Sequence, residues 1–263
     1  MNKIIAPPLG GRQTYAPKAE LPAGSDAGVI DLSLFKRKAV GYECLGPSTV
    51  ADAVTFEHAC AASTWVATRY KAKPDDEFIA RWQLAHTAVL NQTVELIKAE
   101  YPNAKIEVEI PLESVGLCGN TLFGAPDLLV RFDDNSLIIV DAKSGRRKQT
   151  HWIQVGLYAI MLQAMARAAG EPVPDIRGFV LSYGDGQGGD CELVSIVGGD
   201  DPLAEVLPEA TRKRIRAILA ESSQKEIPAA QPSSSECRYC KWQDGCSVSM
   251  KRSMVAIDAT DLL

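Results

Sequence analysis

The sequence predicts a mixed α/β domain carrying a small cysteine-bound appendage. Three observations carry that expectation. Apolar residues recur at helical spacing on both sides of a central block, the block itself switches to a strand-like rhythm, and three of seven cysteines crowd into positions 237–246 behind a Pro/Ser-rich run. At 263 residues the chain can bury a sizeable core as one large domain. Its 46% hydrophobic and 23% charged residues exclude the disordered, collagen-like and coiled-coil classes. No stretch approaches the roughly 18 uninterrupted apolar residues of a membrane span. The start MNKIIAPPLGGRQ lacks the apolar core of a secretory leader, so a cytoplasmic location is expected.

Residues 1–30, rich in Pro, Gly and Ala, read as loosely packed chain within an N-terminal arm over 1–47. A helical region follows over 48–100. Its first helix is expected from about Ser48 to Tyr70, with Ser48 or Thr49 as N-cap. After Pro74, Asp75-Asp76-Glu77 suit the first turn of a second helix, because acidic side chains complement a helix N-terminus; Phe78, Trp82, Ala85, Val89, Leu90, Val94 and Ile97 supply its apolar face until Pro102 stops it. From Ala104 the segments AKIEVEIPL, GAPDLLVRF and SLIIVDAK read as strands, the last two joined by Asp133-Asp134-Asn135. A third helix is expected from about Thr150 to Ala169. Two further strands, RGFVLSYG and CELVSIV, flank DGQGGD, and a helix over 203–221 completes a core spanning 101–222. The linker-like PAAQPSSSE leads through a C-terminal segment, 223–263, to Cys237, Cys240 and Cys246.

The turn between GAPDLLVRF and SLIIVDAK carries the functional reading. If Asn135 takes the left-handed conformation of a three-residue hairpin loop, Phe132 faces Ser136 and Asp127 lies directly opposite Asp141. Opposed Cβ atoms in an antiparallel pair sit about 5 Å apart, where two carboxylates repel unless a cation lies between them. Lys143 points to the same face, since side chains alternate with period two. The alternative, solvated acids on an exposed sheet face, fits poorly: Asp141 interrupts the run LIIV and Asp127 precedes LLV, so both sit in strands that read as buried.

These residues resemble the signature of a known family. GAPD at 124–127, VDAKSG at 140–145 and Gln154-x3-Tyr158 are similar to the motifs of the PD-(D/E)XK nuclease superfamily, and specifically to its RecB-like exonuclease branch, which includes the Cas4 proteins and the AddB nuclease domain. The resemblance implies a restriction-endonuclease-like core, a mixed sheet flanked by helices. It implies that Asp127, Asp141 and the backbone carbonyl of Ala142 hold Mn²⁺ or Mg²⁺, that Lys143 positions the attacking water and offsets charge, and that Gln154 and Tyr158 approach the site from the following helix. It also gives His86, near the middle of its helix's apolar face, the part of an additional metal ligand; Trp82 stands where that branch usually carries Gly. Arg146, Arg147 and Lys148 form a basic run suited to phosphates, with His151 near it, whereas Arg212, Lys213, Arg214 and Arg216 read as a solvated helix face. His58 matches nothing in the pattern.

An odd cysteine count with three members in one decapeptide favours an ion or cluster in a reducing compartment over a disulfide framework. The spacing C-x2-C-x5-C resembles the C-terminal motif of Cas4 and AddB proteins, which implies a [4Fe–4S] cluster held by Cys237, Cys240, Cys246 and one upstream cysteine. Cys60 best fits that upstream place, with Cys44 in reserve. Zn²⁺ is the competing occupant, and Cys118 and Cys191 have no role to assign. The net charge of −5 does not announce a nucleic-acid binder, but cation sites need acids and local basic patches can meet phosphate.

The expected function is a metal-dependent DNA exonuclease acting on single strands or duplex ends, in recombination, repair or CRISPR-spacer processing. A helicase, recombinase or integrase partner and a homo-oligomer are both compatible with this function, and no membrane is involved. Two rivals stand beside it: a non-catalytic DNA-binding iron–sulfur scaffold subunit and a restriction-type endonuclease.

Overall fold

A computed structural model describes residues 30, 32–38, 43–55, 60–71, 76–187, 189–230, 237 and 240–247. In chain order the elements are a 3-10 turn at Leu32–Leu34, β1 (Lys36–Arg37), β2 (Cys44–Leu45), α1 (Pro47–Thr55), α2 (Ala61–Arg69), β3 (Tyr70–Lys71), α3 (Asp76–Glu100), β4 (Lys105–Val108), β5 (Leu112–Leu117), β6 (Asn120–Gly124), β7 (Leu128–Arg131), β8 (Ser136–Lys143), α4 (Gln149–Ala169), β9 (Asp175–Tyr183), β10 (Glu192–Val197), α5 (Pro202–Val206), α6 (Glu209–Ser222) and a 3-10 turn at Gln243–Gly245.

Five strands form the main sheet in the order β10-β9-β8-β7-β4, and three more form a second sheet, β2-β6-β5. In the main sheet β8 and β9 run parallel, joined through α4, while the other neighbours are antiparallel. Strand β8 is the centre because Ser136 to Ala142 are all buried, as a continuous apolar run requires. Its side chains alternate between two cores. Leu137 and Ile139 join Leu129, Phe179, Leu181 and the inner faces of α1, α4 and α6 on one side; Ile138, Val140 and Ala142 join Leu128, Val130, Val180 and the Val89, Leu90 and Ile97 stripe of α3 on the other. A third cluster lies apart, where Ala62, Trp65 and Val66 of α2 meet Ile30, Ala230 and Trp242. The mixed α/β expectation holds, and no helix among the described residues is long and apolar enough to cross a membrane.

Four expectations need correction. The helix expected over 48–70 is two helices: Cys60 has extended backbone, φ −72° and ψ 104°, from which α2 starts, and Tyr70 is extended and pairs with Arg37. Among the described side chains, the buried apolar residues of α3 begin at Val89, while Ile79 and Trp82 are 38% and 48% exposed. A helix of 25 residues runs about 37 Å, longer than the roughly 26 Å of an eight-residue strand, so its first turns extend past the sheet. The strand expected over 104–112 stops at Val108, because Glu109 takes φ 49° and Pro111 lacks a ladder donor; β5 and β6 then form a hairpin of their own. The helix over 203–221 breaks at Leu207, which leaves the helical region at φ −127° and ψ 75° ahead of Pro208, splitting it into α5 and α6. The expected arm is folded from Ile30 in part, since Ile30 bridges to Cys246 and Cys44-Leu45 pairs parallel with β6; residues 1–29 and His58 lie outside the described residues.

Candidate active site

The site is built on the β7–β8 hairpin. Its loop has three residues: Asn135 is left-handed at φ 64°, Phe132 N donates to Ser136 O at 3.0 Å, and Asp134 Oδ1 accepts from Ser136 N at 3.1 Å. The ladder pairs Leu128 with Val140, so the next step of the register sets Asp127 opposite Asp141, as the sequence implied. Asp127 and Asp141 are 7% and 1% exposed and are the only acidic side chains buried among the described residues. Buried acids of this kind need partners. Asp127 Oδ2 accepts from Ala142 N at 2.5 Å, and Asp127 Oδ1 lies 3.3 Å from His86 Nε2. The Lys143 ammonium ion-pairs with Asp141 Oδ2, although no donor reaches that oxygen with hydrogen-bond geometry.

Helix α4 closes the site from one side. Lys143 Nζ donates to Gln154 Oε1 at 3.2 Å, while Gln154 Nε2 is 3.4 Å from Asp141 Oδ1 and 3.1 Å from the Tyr158 hydroxyl. One turn of helix separates Gln154 from Tyr158, which is why one amide touches both the lysine and the phenol. Gly124 of GAPD makes room for this helix, since a Cβ there would lie 2.8 Å from Pro47 Cδ and 3.2 Å from Tyr158 Cε1. Burial pushes the Asp141 carboxyl up to about 6 against the pull of Lys143. The hydrogen bond to Asp127 raises the His86 imidazole, and burial raises Tyr158.

The structure thus gathers Asp127, Asp141, Lys143, Gln154, Tyr158, His86 and the backbone of Ala142 in one place. His86 is not embedded in a buried stripe, however: its ring stacks on half-exposed Trp82, centroids 4.9 Å apart at 10°. The basic run divides. Arg147 pairs with Glu192 and lies over the Tyr183 ring, centroid 5.5 Å away, whereas Arg146 and Lys148 are exposed and make no ion pair among the described residues. His151 bonds the Tyr183 hydroxyl at 3.1 Å. On α6, Arg216 pairs with Glu209 and Arg212 with Asp201 at the start of α5.

Sequence reasoning passed over Glu109. Ligand atoms of His86, Glu109 and Asp127 lie within 4.8 Å of one another, the one such group among the described residues. The alternation in KIEVE gives Glu107 and Glu109 equal standing, and only the pairing of β4 with β7, across the intervening β5–β6 hairpin, separates them. One imidazole and two carboxylates, with Asp141 alongside, are donors that fit a divalent cation of the Mn²⁺ or Mg²⁺ kind.

The cysteines collect elsewhere. Cys60, Cys240 and Cys246 pack against the cluster of Trp65 and Trp242; Cys237 is buried, and burial, with the nearby thiols of Cys60 and Cys237 adding to it, raises the Cys240 thiol. No three of their sulfurs come mutually within 4.8 Å, wider than the roughly 3.8 Å between thiolates on one tetrahedral ion. Cys44 lies instead on β2, beside Thr121. Cys118 is exposed in a turn, and Cys191 Sγ bonds Gln92 Oε1 at 3.0 Å.

Two buried acids and a lysine on the central strands of a mixed sheet, beside a Gln-x3-Tyr helix, gather donors that fit a divalent cation. A family model gives the class: residues 42–247 match the PD-(D/E)XK nuclease superfamily, and the chain belongs to it. Its members are generally metal-dependent nucleases. No curated protein matches the chain. Among solved structures, one described as "Crystal structure of SSO0001" has a TM-score of 0.41 and 16% identity, covering 80% of this chain and 88% of that one.

Proposed function

We propose that the protein is a metal-dependent DNA exonuclease of the RecB-like, Cas4 type, hydrolysing phosphodiester bonds at DNA ends. The observation that supports it most is the register of β7 on β8, with Asp127 opposite Asp141 and the Lys143–Gln154 bond beside them. Asp127, Asp141, His86 and the carbonyl of Ala142 would hold Mn²⁺ or Mg²⁺, which supplies Lewis-acid charge to the phosphate and acidifies water. Lys143 carries a cation to the same point and offsets charge that grows on phosphate oxygens as the bond breaks. Gln154 fixes that ammonium and, through Tyr158, resists its withdrawal. Arg146 and Lys148, exposed ahead of α4, receive the backbone of the strand. The packing of Cys60, Cys240 and Cys246 on one apolar cluster, with buried Cys237 near Cys240, favours a [4Fe–4S] cluster clamping α2 to the C-terminal segment, with one Zn²⁺ as the competing occupant.

The test is incubation of anaerobically purified protein with end-labelled single-stranded, double-stranded and circular DNA, with and without Mn²⁺. Mn²⁺-dependent loss of label with circles left intact is expected, and Asp141→Asn and Lys143→Ala should each slow it on the order of 10²–10³-fold. Cleavage of circles would favour a restriction-type endonuclease. Absence of any cleavage would favour the non-catalytic scaffold.

A further inference from the structure

The ladders on both sides of β7 place three acids in one row. Val108 pairs with Leu128 and Glu109 N donates to the Asp127 carbonyl at 2.9 Å, so Glu109 stands opposite Asp127 on β4 just as Asp141 does on β8. Three carboxylates on adjacent strands repel one another, and each needs a cation. Asp127 has His86, and Asp141 has Lys143. Glu109, exposed, has no ion-pair partner among the described residues, although its neighbour Glu107 is held by Lys105 and Arg131 at 2.7 and 2.6 Å. Glu109 is also one of three non-glycine residues there with positive φ, 49°, a conformation that costs free energy, and its carboxylate lies within 4.8 Å of ligand atoms of His86 and Asp127. At the far end of the row the buried Asp141 Oδ2 accepts no hydrogen bond.

We infer that Glu109 is a third side-chain ligand of the cation on Asp127, which makes the position one of imidazole and two carboxylates. This rests on the reading of Asp127 as a cation ligand and adds a residue to it. The two carboxylates suit Mn²⁺ and Mg²⁺ alike, but Mg²⁺ dehydrates reluctantly and keeps its waters, so a position with three protein side chains takes Mn²⁺ more tightly than Mg²⁺.

Mn²⁺ titrated calorimetrically into full-length protein without DNA tests this apart from catalysis. Wild type should bind Mn²⁺, Glu109→Gln should bind it at least tenfold more weakly, and Glu113→Gln, which removes a nearby exposed charge, should match wild type. Glu109→Gly supplies a second measurement: relief of the left-handed strain should hold or raise its melting temperature in chelator, while the upward shift on adding Mn²⁺ shrinks as in Glu109→Gln. If Glu109→Gln binds Mn²⁺ within threefold of wild type while Asp127→Asn does not bind, the inference is overturned and the cation reading of Asp127 survives. If wild type itself binds no Mn²⁺, both fall together.

Discussion

Asp141 is 1% exposed, and parity in the sequence sets Asp127 opposite it through a three-residue turn and Lys143 on the same face through period two. Gln154 and Tyr158 were legible only from the resemblance to the nuclease signature, their spacing adding that they share one helix face. Glu109 was hidden because its partner strand returns 18 residues later, after a hairpin that no local pattern announces, and because a left-handed glutamate leaves no mark in composition. His151 illustrates another residue-scale effect. Its ring is half-buried against Tyr183, and burial lowers it to about 4 from an ordinary value near 6.5. The unfolded chain therefore binds that proton more readily, so the contribution of His151 to stability is intact above pH 6.5 and is lost as pH falls toward 4. Urea denaturation at pH 7 and pH 5 should show wild type losing more stability over that interval than His151→Gln; equal losses would remove His151 from the account.

At the scale of elements, strands and long helices were legible where the period was sustained: β8 runs over the expected residues and α4 begins one residue early. Breaks were not, because each depends on a single backbone position, Cys60, Glu109 or Pro208, set by packing or by one ring. Between β8 and α4 the basic loop is also less uniform than its sequence. Arg147 is committed to Glu192 and Tyr183, so the proposed DNA contacts of this loop fall to Arg146 and Lys148. Fluorescence anisotropy with an oligonucleotide in Ca²⁺ should show the Arg146→Ala/Lys148→Ala double variant reducing the slope of log affinity against log salt by about 1.4–1.8, at 0.7–0.9 per phosphate contact. Arg147→Ala should change it by less than half of that. A slope untouched by the double variant would move the DNA path elsewhere.

Across the whole molecule, α2 is tied to the end of α6 and the chain after it. Trp65 Nε1 donates to Gln224 O at 2.9 Å, Arg69 donates to Ser222 O at 2.9 Å while lying 4.1 Å from the Trp65 centroid, and Phe35 meets Trp242 edge-on at 5.1 Å. A cluster on Cys60 and Cys237 would add closure of some 180 residues, worth about 4–5 kcal/mol if it acts like a disulfide of that span. Cys240→Ala should then lose the broad absorbance near 400 nm and melt earlier, whereas Asp141→Asn keeps both. Iron and sulfide analysis reads the occupant directly, and one zinc without sulfide would refute the cluster.

Strand β8 has a further consequence before the chain has folded. Leu137-Ile138-Ile139-Val140 is the kind of short, uncharged, β-branched run that pairs with copies of itself when exposed, and it stays exposed until β9 arrives beyond the whole of α4. Asp133 and Asp134 stand just before it and Asp141 and Lys143 just after it. Asp141 and Lys143, proposed for the site, are therefore also placed as gatekeepers against self-association of the nascent chain. Replacing both is expected to raise aggregation of the unfolded chain, read as light scattering on refolding.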